Sequence, residues 1–252
     1  MRPGTYALPV DLPSTVDLPS TIARPVDHEV VIKKSRFLAH LSPAGSVAEA
    51  DAVIARLRKE LWDARHHCVA MVLGTHAGGA SLTARSSDDG EPSGTAGVPM
   101  LEVLKRREVT DLVAVVTRYF GGVKLGAGGL VRAYSGAVAA ALDVAAGSGV
   151  LLRRELLHEV TVDVPHGDAG RIDNVLRDWA SSHGSVMEPP TYADVAHLRL
   201  LVPKDQLETL LADVAAASAG ALSPAVGEAR VVDVPIHPAA VLMVVSPTKE
   251  RS

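Results

Sequence analysis

The sequence predicts an α+β protein of two structural units, and three observations carry that prediction. Along the 252 residues, apolar positions switch between short continuous or alternating runs, the pattern of strands, and stretches at three- and four-residue spacing, the pattern of helices. From Glu155 to Val234 these signals follow the order strand, helix, strand, strand, helix, strand, which is that of a split-βαβ, ferredoxin-like sandwich. Gly147-Ser148-Gly149 separates this half from the first. The expected organisation is therefore a Pro-rich flexible tail at 1–25, an α+β domain at 26–148, a ferredoxin-like βαββαβ domain at 154–236 and a C-terminal tail at 237–252.

Each element has its own signal. Pro3, Pro9, Pro13, Pro19 and Pro25, with Ser and Thr between them, favour an extended and mobile start. Glu29 to Lys33 and Phe37 to Leu41 read as strands. Ser46-Val47-Ala48-Glu49 is a capping box that opens a helix to about Trp62. Val69 to Leu73 is a strand, Thr75 to Gly97 a polar loop, Pro99 to Arg107 a helix and Leu112 to Thr117 a buried strand. A glycine-rich loop then leads into a helix in which Leu130, Tyr134, Ala137, Ala141 and Ala145 recur at helical spacing, ending near Gly147. In the second half Glu155 to Val164 reads as strand and Gly170 to His183 as helix, with Gly184 as its stop. Ser185 to Val202 reads as two strands, Lys204 to Ala217 as helix and Ala221 to Val234 as the last strand.

Composition narrows the function classes. The single cysteine, Cys68, excludes an intramolecular disulfide and a cysteine-based metal cluster. No continuous run of about 18 apolar residues occurs, so the expectation is a cytoplasmic protein with no membrane partner. The formal net charge is −4, which argues against a general electrostatic grip on nucleic acid. The charge is uneven, however: residues 1–150 hold 16 Lys and Arg against 15 Asp and Glu, and residues 151–252 hold 9 against 14. Polyanion contact is thus expected to be local and on the first half. RNA-recognition modules share the element order of the second half, but their stacking aromatics have no counterpart there beyond Tyr192.

The segment 118–134 is the most informative. Five glycines, Gly121, Gly122, Gly126, Gly128 and Gly129, lie between an apolar strand and a helix. Glycine lets backbone N–H groups turn toward a ligand, and the first turn of a helix offers unpaired N–H groups with partial positive charge. Lys124 lies in the loop and Arg132 in or near the first helical turn, where the macrodipole disfavours a cation. An anion fits there, and Arg36 and Arg118 are further candidates. A compact strand-turn-helix corner whose cations meet the protein's own carboxylates explains the same residues. Neither the phosphate-loop nor the dinucleotide glycine signature is met.

Two other groups carry chemistry. Asp88, Asp89 and Glu91 fall within four residues of a Gly/Pro-rich loop that also holds Thr95, a candidate helix cap. Such carboxylates can bind Mg²⁺ or serve Arg118, Lys124 and Arg132 as internal partners, and the expected geometry places them close to 118–132. His66 and Cys68 share one face of a strand and His67 takes the other, yet no second cysteine completes a zinc site and the remaining histidines show no ligand spacing. No metal site and no cofactor are expected, Mg²⁺ being the one alternative.

Four motifs in this order make the chain similar to the IMPACT/YigZ family: Lys34-Ser35-Arg36-Phe37; Ala64-x-His66-x-Cys68-x-Ala70; Asp88-Asp89-Gly90-Glu91-Pro92-Ser93-Gly94-Thr95-Ala96-Gly97-x-Pro99; and the run from Thr117 through Arg118, Tyr119 and Phe120 to Tyr134. They cover about 28–147. The resemblance implies a two-layer α+β first domain, of a kind found also in elongation factor G and GHMP-type kinases, and a second domain like one of elongation factor G. It also implies a translation-associated regulatory or binding protein that contacts ribosome, RNA or a translation-associated protein without catalysis. The rival expectation is a phosphate-ligand enzyme in which Lys124, Arg132 and the glycine N–H groups hold the phosphate and the 88–91 carboxylates hold Mg²⁺. Neither the sequence nor the resemblance specifies an oligomeric state.

Overall fold

A computed structural model describes residues 18–74 and 82–235. The chain divides into two compact units, Asp17–Arg154 and Glu155–Val232.

The first unit is built on a five-stranded antiparallel sheet in the order β2-β3-β6-β4-β5, made from β2 (Val26–Ile32), β3 (Ser35–Pro43), β4 (His66–Leu73), β5 (Thr83–Ser87) and β6 (Leu112–Tyr119). Helices α2 (Gly97–Arg106) and α3 (Ala127–Gly147) cover one face, where Met100, Val103 and Leu104 of α2 and Leu130, Tyr134, Val138 and Leu142 of α3 meet Phe37, Leu41, Cys68, Ala70, Ala114 and Val116. Helix α1 (Val47–Glu60) covers the other, with Ala50, Ile54 and Leu57 on Val69, Met71, Val113 and Val115. The unit therefore has three layers, which corrects the two-layer expectation. The reason is visible in β4 and β6: seven consecutive residues of each are buried, so both faces of the sheet need a cover.

Local chemistry accounts for the elements. The Ser46 hydroxyl accepts from the Glu49 N–H at 3.2 Å, which is the N-cap half of the capping box, while the Glu49 carboxylate reaches one residue past the cap and accepts from the Gly45 N–H at 2.9 Å. The edge strand β5 falls inside the stretch read as polar loop, because Thr83-Ala84-Arg85-Ser86-Ser87 has no apolar alternation to announce it. Residues 75–81 of that stretch lie outside the described residues.

The tail expectation is corrected for residues 18–25. Strand β1 (Thr21–Ile22) pairs antiparallel with Leu151 and Leu152, Ser20 exchanges backbone hydrogen bonds with Glu108 and Thr110, and Leu18, Thr21 and Ile22 are buried. Prolines at 19 and 25 are compatible with this because they flank the two-residue strand rather than interrupt its hydrogen bonds. Residues 1–17 and the expected C-terminal tail from 237 are outside the described residues.

The second unit comprises β7 (Leu151–Val164) from Glu155 onward, α4 (His166–Ser182), β8 (Val186–Met187), β9 (Thr191–Tyr192), β10 (Ala196–Pro203), a 3₁₀ turn at Lys204–Gln206, α5 (Leu207–Ala217) and β11 (Ala225–Pro235) as far as Val232. Its strands run in the order β11-β7-β10-β8, with β9 also on β10. Val160, Val162 and Val164 of β7 and Leu198, Leu200 and Val202 of β10 form its core with Ile172, Leu176 and Trp179 of α4 and Leu210 and Val214 of α5. Helix α4 starts four residues earlier than read from the sequence, after Pro165, and runs through Gly167 and Gly170.

Among the described residues one helix, α3, is long and apolar enough to cross a membrane by length and composition. Eight of its residues between Leu130 and Ala145 are buried in the core of the first unit.

Ile22 is 2 % exposed within the first core. Ile22→Ala is expected to lower unfolding free energy by about 2–4 kcal/mol, read from urea denaturation, and deletion of residues 1–24 to lower the melting temperature. An unchanged midpoint in both would show that this segment adds nothing to the core.

Candidate functional site

Strand pairing sets the site. Arg118 lies opposite Phe37 on β3 and His66 on β4, near the end of β6 and on the face covered by α2 and α3. Its Nη1 donates to Glu91 Oε1 at 2.6 Å, and the Tyr134 hydroxyl of α3 donates to the same oxygen at 2.8 Å. The guanidinium stands 5.4 Å from the Phe37 ring centroid and 5.6 Å from that of Phe120, while the Tyr134 ring meets Phe37 edge-on at 5.2 Å. Arg118 and Glu91 are 7 % and 9 % exposed and Tyr134 is fully buried. In such surroundings an ion pair contributes little net stability, yet loss of one partner costs about 3–5 kcal/mol because the other charge is left uncompensated. Burial first, then the neighbouring Cys68 and Glu91, push the Tyr134 hydroxyl far above the ordinary phenol range, so it remains a donor.

The three acidic residues of the 88–91 loop divide their work. Asp88 Oδ1 accepts from the Ala96 and Gly97 N–H groups at 3.0 and 2.8 Å, and Oδ2 from Gly94 N–H at 2.7 Å. Desolvation acts to raise the Asp88 carboxyl, but the three N–H groups of Gly94, Gly97 and Ala96 together hold it below the usual carboxylate range. Asp88 thereby caps α2, the role expected of Thr95; Thr95 instead donates to the Pro92 carbonyl at 2.6 Å. Asp89, at φ 43°, accepts from Arg58 and from the His67 N–H, each at 2.6 Å. Of the three, Glu91 is the one that meets the 118–132 segment.

His66 and Cys68 lie on one face and His67 on the other, each engaged separately. His66 Nδ1 donates to the Asp89 carbonyl at 2.8 Å, His67 Nδ1 is 3.0 Å from Thr117 Oγ1, and the Cys68 thiol donates to the Asp88 carbonyl at 3.0 Å. Burial pushes the Cys68 thiol up to about 12 despite the opposing effect of Tyr134. Among the described residues no group of three or more His, Cys, Asp or Glu is arranged to hold a metal ion.

Beside the Arg118–Glu91 pair lies a cavity of about 360 Å³, bounded by Arg65, His66, Glu91, Arg118, Phe120 and Lys124 and by the start of α3 at Gly126 and Ala127. Gly126, at φ 71°, precedes a helix with no side-chain cap and no acid in its first turn. Lys124 and Arg65 make no ion pair with the described residues. Glu91, the one carboxylate on the wall among the described residues, is already taken by Arg118 and Tyr134. The arrangement suits an oxyanion: two exposed cations, uncapped helix N–H groups and an exposed ring at the mouth.

Of the remaining candidates, Arg36 is tied to Glu29 by two bonds of 2.7 and 2.9 Å and lies 5.5 Å from the Tyr119 ring, whose hydroxyl donates to Asp63 at 2.8 Å. It stands outside the cavity. Gly121 has no room for a side chain, since a Cβ there would sit 2.0 Å from the Lys34 carbonyl carbon. Gly122 is exposed, Gly128 and Gly129 form the first turn of α3, and Arg132 is exposed and outside this cavity. Sequence reasoning missed Arg65, which joins the site because it precedes His66 at the start of β4; no spacing marks it. It also missed Phe37 as the ring beneath Arg118, although the Lys34-Ser35-Arg36-Phe37 motif contains it.

A family model described as the Impact N-terminal domain matches residues 33–142. An IMPACT family member of Haemophilus influenzae is 36% identical over 194 residues, 77% of this chain and 89% of that protein. The IMPACT family member YvyE of Bacillus subtilis is 46% identical over 152 residues, 60% of this chain and 66% of its own length. A solved structure described as a hypothetical protein is 36% identical, with a TM-score of 0.50, over 83% of this chain and 97% of its own.

Two measurements test the network. Because the Asp88 carboxyl is depressed in the fold, it contributes stability above the unfolded carboxylate value of about 3.9 and loses it as pH falls through the folded value. Asp88→Asn should cost about 1–3 kcal/mol at pH 7, with the gap to the parent closing below about pH 4; a gap independent of pH would exclude the carboxylate as the cause. Cys68 should not react with Ellman's reagent at pH 8 in the folded chain and should titrate as one thiol per chain in urea. Rapid reaction in buffer would show the thiol to be accessible.

Proposed function

The chain belongs to the IMPACT family, and from that premise we propose that it is a translation-associated regulatory protein. It holds ribosome, RNA or a translation-associated partner through the glycine-rich 118–134 segment and performs no chemistry of its own. The observation that carries this reading is the cavity at the start of α3, where Lys124 and Arg65 lack carboxylate partners among the described residues and Glu91 is already spent on Arg118 and Tyr134. A phosphate would supply the missing counter-charge. In this reading the protein works in the cytoplasm, and its two units resemble pieces of elongation factor G. The strand order β11-β7-β10-β8 with α4 and α5 supports a ferredoxin-like second unit.

The alternative is a Mg²⁺-dependent nucleotide enzyme built on the same loop. It requires Asp88, Asp89 and Glu91 as metal ligands. Both oxygens of Asp88 and of Asp89 already accept from protein donors, and Glu91 Oε1 accepts from two, so a metal would have to displace α2's cap, the Arg58 tie and the Arg118 pair. That cost favours binding without catalysis.

The test is association with purified bacterial ribosomes and with RNA across a salt series. Lys124→Ala with Arg65→Ala should weaken binding and flatten the slope of log K against log salt by about 1.4–1.8, with the melting temperature unchanged. A folded double variant with unaltered affinity and slope would defeat the proposal. A melting-temperature rise with nucleotide that depends on Mg²⁺ would favour the enzyme instead.

A further inference from the structure

A second cavity, of about 350 Å³, lies on the other side of Leu125 and is bounded by Ile32, Lys33, Leu125, Gly129, Arg132 and Ala133. Among the described residues no carboxylate lines it. Leu125 belongs to both cavities, so the two are neighbours across a single side chain at the start of α3. Lys33, Lys34 and Arg132 are exposed and make no ion pair with the described residues.

The lysines occupy costly positions. Ile32 pairs with Ser35, which leaves Lys33 and Lys34 as the two central residues of the β2–β3 turn, at φ 45° and 66°. Positive φ at both centres is the pattern of a type I′ turn, for which Asn-Gly is the favoured pair and lysine carries a steric penalty. Stability alone does not call for Lys-Lys here. The tip is also fastened to the glycine loop. Gly121 N–H donates to Ser35 Oγ at 3.1 Å, and its Cα packs so closely on the Lys34–Ser35 peptide that no Cβ fits. Lys33 and Lys34 are thereby held on the same surface as Lys124 and Arg132. Phe120, 57 % exposed, offers a ring face at the mouth of the first cavity with Arg118 behind it.

We propose that this surface is a track for single-stranded RNA, in which one phosphate enters the first cavity, a base stacks on Phe120 and further phosphates lie over Lys33, Lys34 and Arg132. The proposal rests on the phosphate-binding reading of the first cavity and extends it from a single phosphate to a chain. The unpaired cations in two adjacent cavities call for a polyanion rather than one phosphate, and an exposed ring among them is the combination by which single strands are held without base readout. An acidic protein segment would satisfy the cations and leave Phe120 without a role.

The experiment uses the full chain and fluorescein-labelled oligouridylates of two, four and eight nucleotides, read by anisotropy across a salt series. Affinity should rise from the dinucleotide to the octamer. Lys33→Asn with Lys34→Gly should flatten the octamer salt slope by about 1.4 and leave dinucleotide binding unchanged. The same variant should melt higher than the parent, which separates lost contact from lost fold. Arg132→Ala should weaken the octamer in the same selective way, and Phe120→Ala should lower affinity by about fivefold or more. If the hairpin variant melts higher and binds the octamer as well as the parent, the track is overturned, while weakening by Lys124→Ala with Arg65→Ala would leave the single-phosphate reading standing. If neither pair of substitutions alters binding, both readings fall. Competition by polyglutamate as strong as by RNA of equal charge, with no effect of Phe120→Ala, would overturn the assignment to RNA in favour of an acidic protein ligand.

Discussion

One charge pair organises the first unit. Arg118 reaches from β6 into an otherwise apolar layer, and Glu91, the one carboxylate paired with it among the described residues, comes to it from the loop before α2. Placing Glu91 draws in the whole 88–97 loop: Asp88 folds back to cap α2, Asp89 anchors β4 and Arg58, and Tyr134 closes the pair from α3. Strand, loop and helix are thus tied at one point. The cavity at the start of α3 lies beside that point, with Glu91 and Arg118 on its wall.

Much of this was legible beforehand, where a local signal and the tertiary structure agree. The Ser46 helix cap, the apolar run of β6 and the glycine-to-helix passage into α3 are short-range patterns, and they form as read. What was not legible depends on neighbours distant in sequence. Composition groups Asp88, Asp89 and Glu91 as one acidic cluster, yet three different sets of donors separate them. Thr95 has the chemistry of a cap but loses the position to Asp88, because a carboxylate accepting three N–H groups is the stronger partner. Proline content disguised β1, whose two residues are held by pairing with Leu151 and Leu152 and by the core rather than by any preference of their own. The third layer was missed because a continuous apolar strand does not say what lies on either side of it.

The distribution of charge makes functional sense only at this resolution. A chain of net charge −4 gives little reason to look for anionic ligands. The cations of the first unit, however, fall into two populations: those spent on internal or surface partners, such as Arg118, Arg36 and Arg58, and those beside the cavities that have no ion-pair partner among the described residues, such as Lys124, Arg65 and Lys33. Residue counts merge the two, and a contact map separates them.

The missing Cβ at Gly121 bears on how this surface can evolve. Its backbone lies against the hairpin peptide with no space between, so the glycine loop and the β2–β3 tip behave as two pieces of one casting. The cationic side chains can be exchanged singly without moving the backbone, but their spacing cannot be tuned by the same route. Any residue larger than glycine at 121 would wedge the hairpin away and shift both groups of charges at once. Substitution is therefore expected to alter which charges stand on this surface and to leave the framework that spaces them.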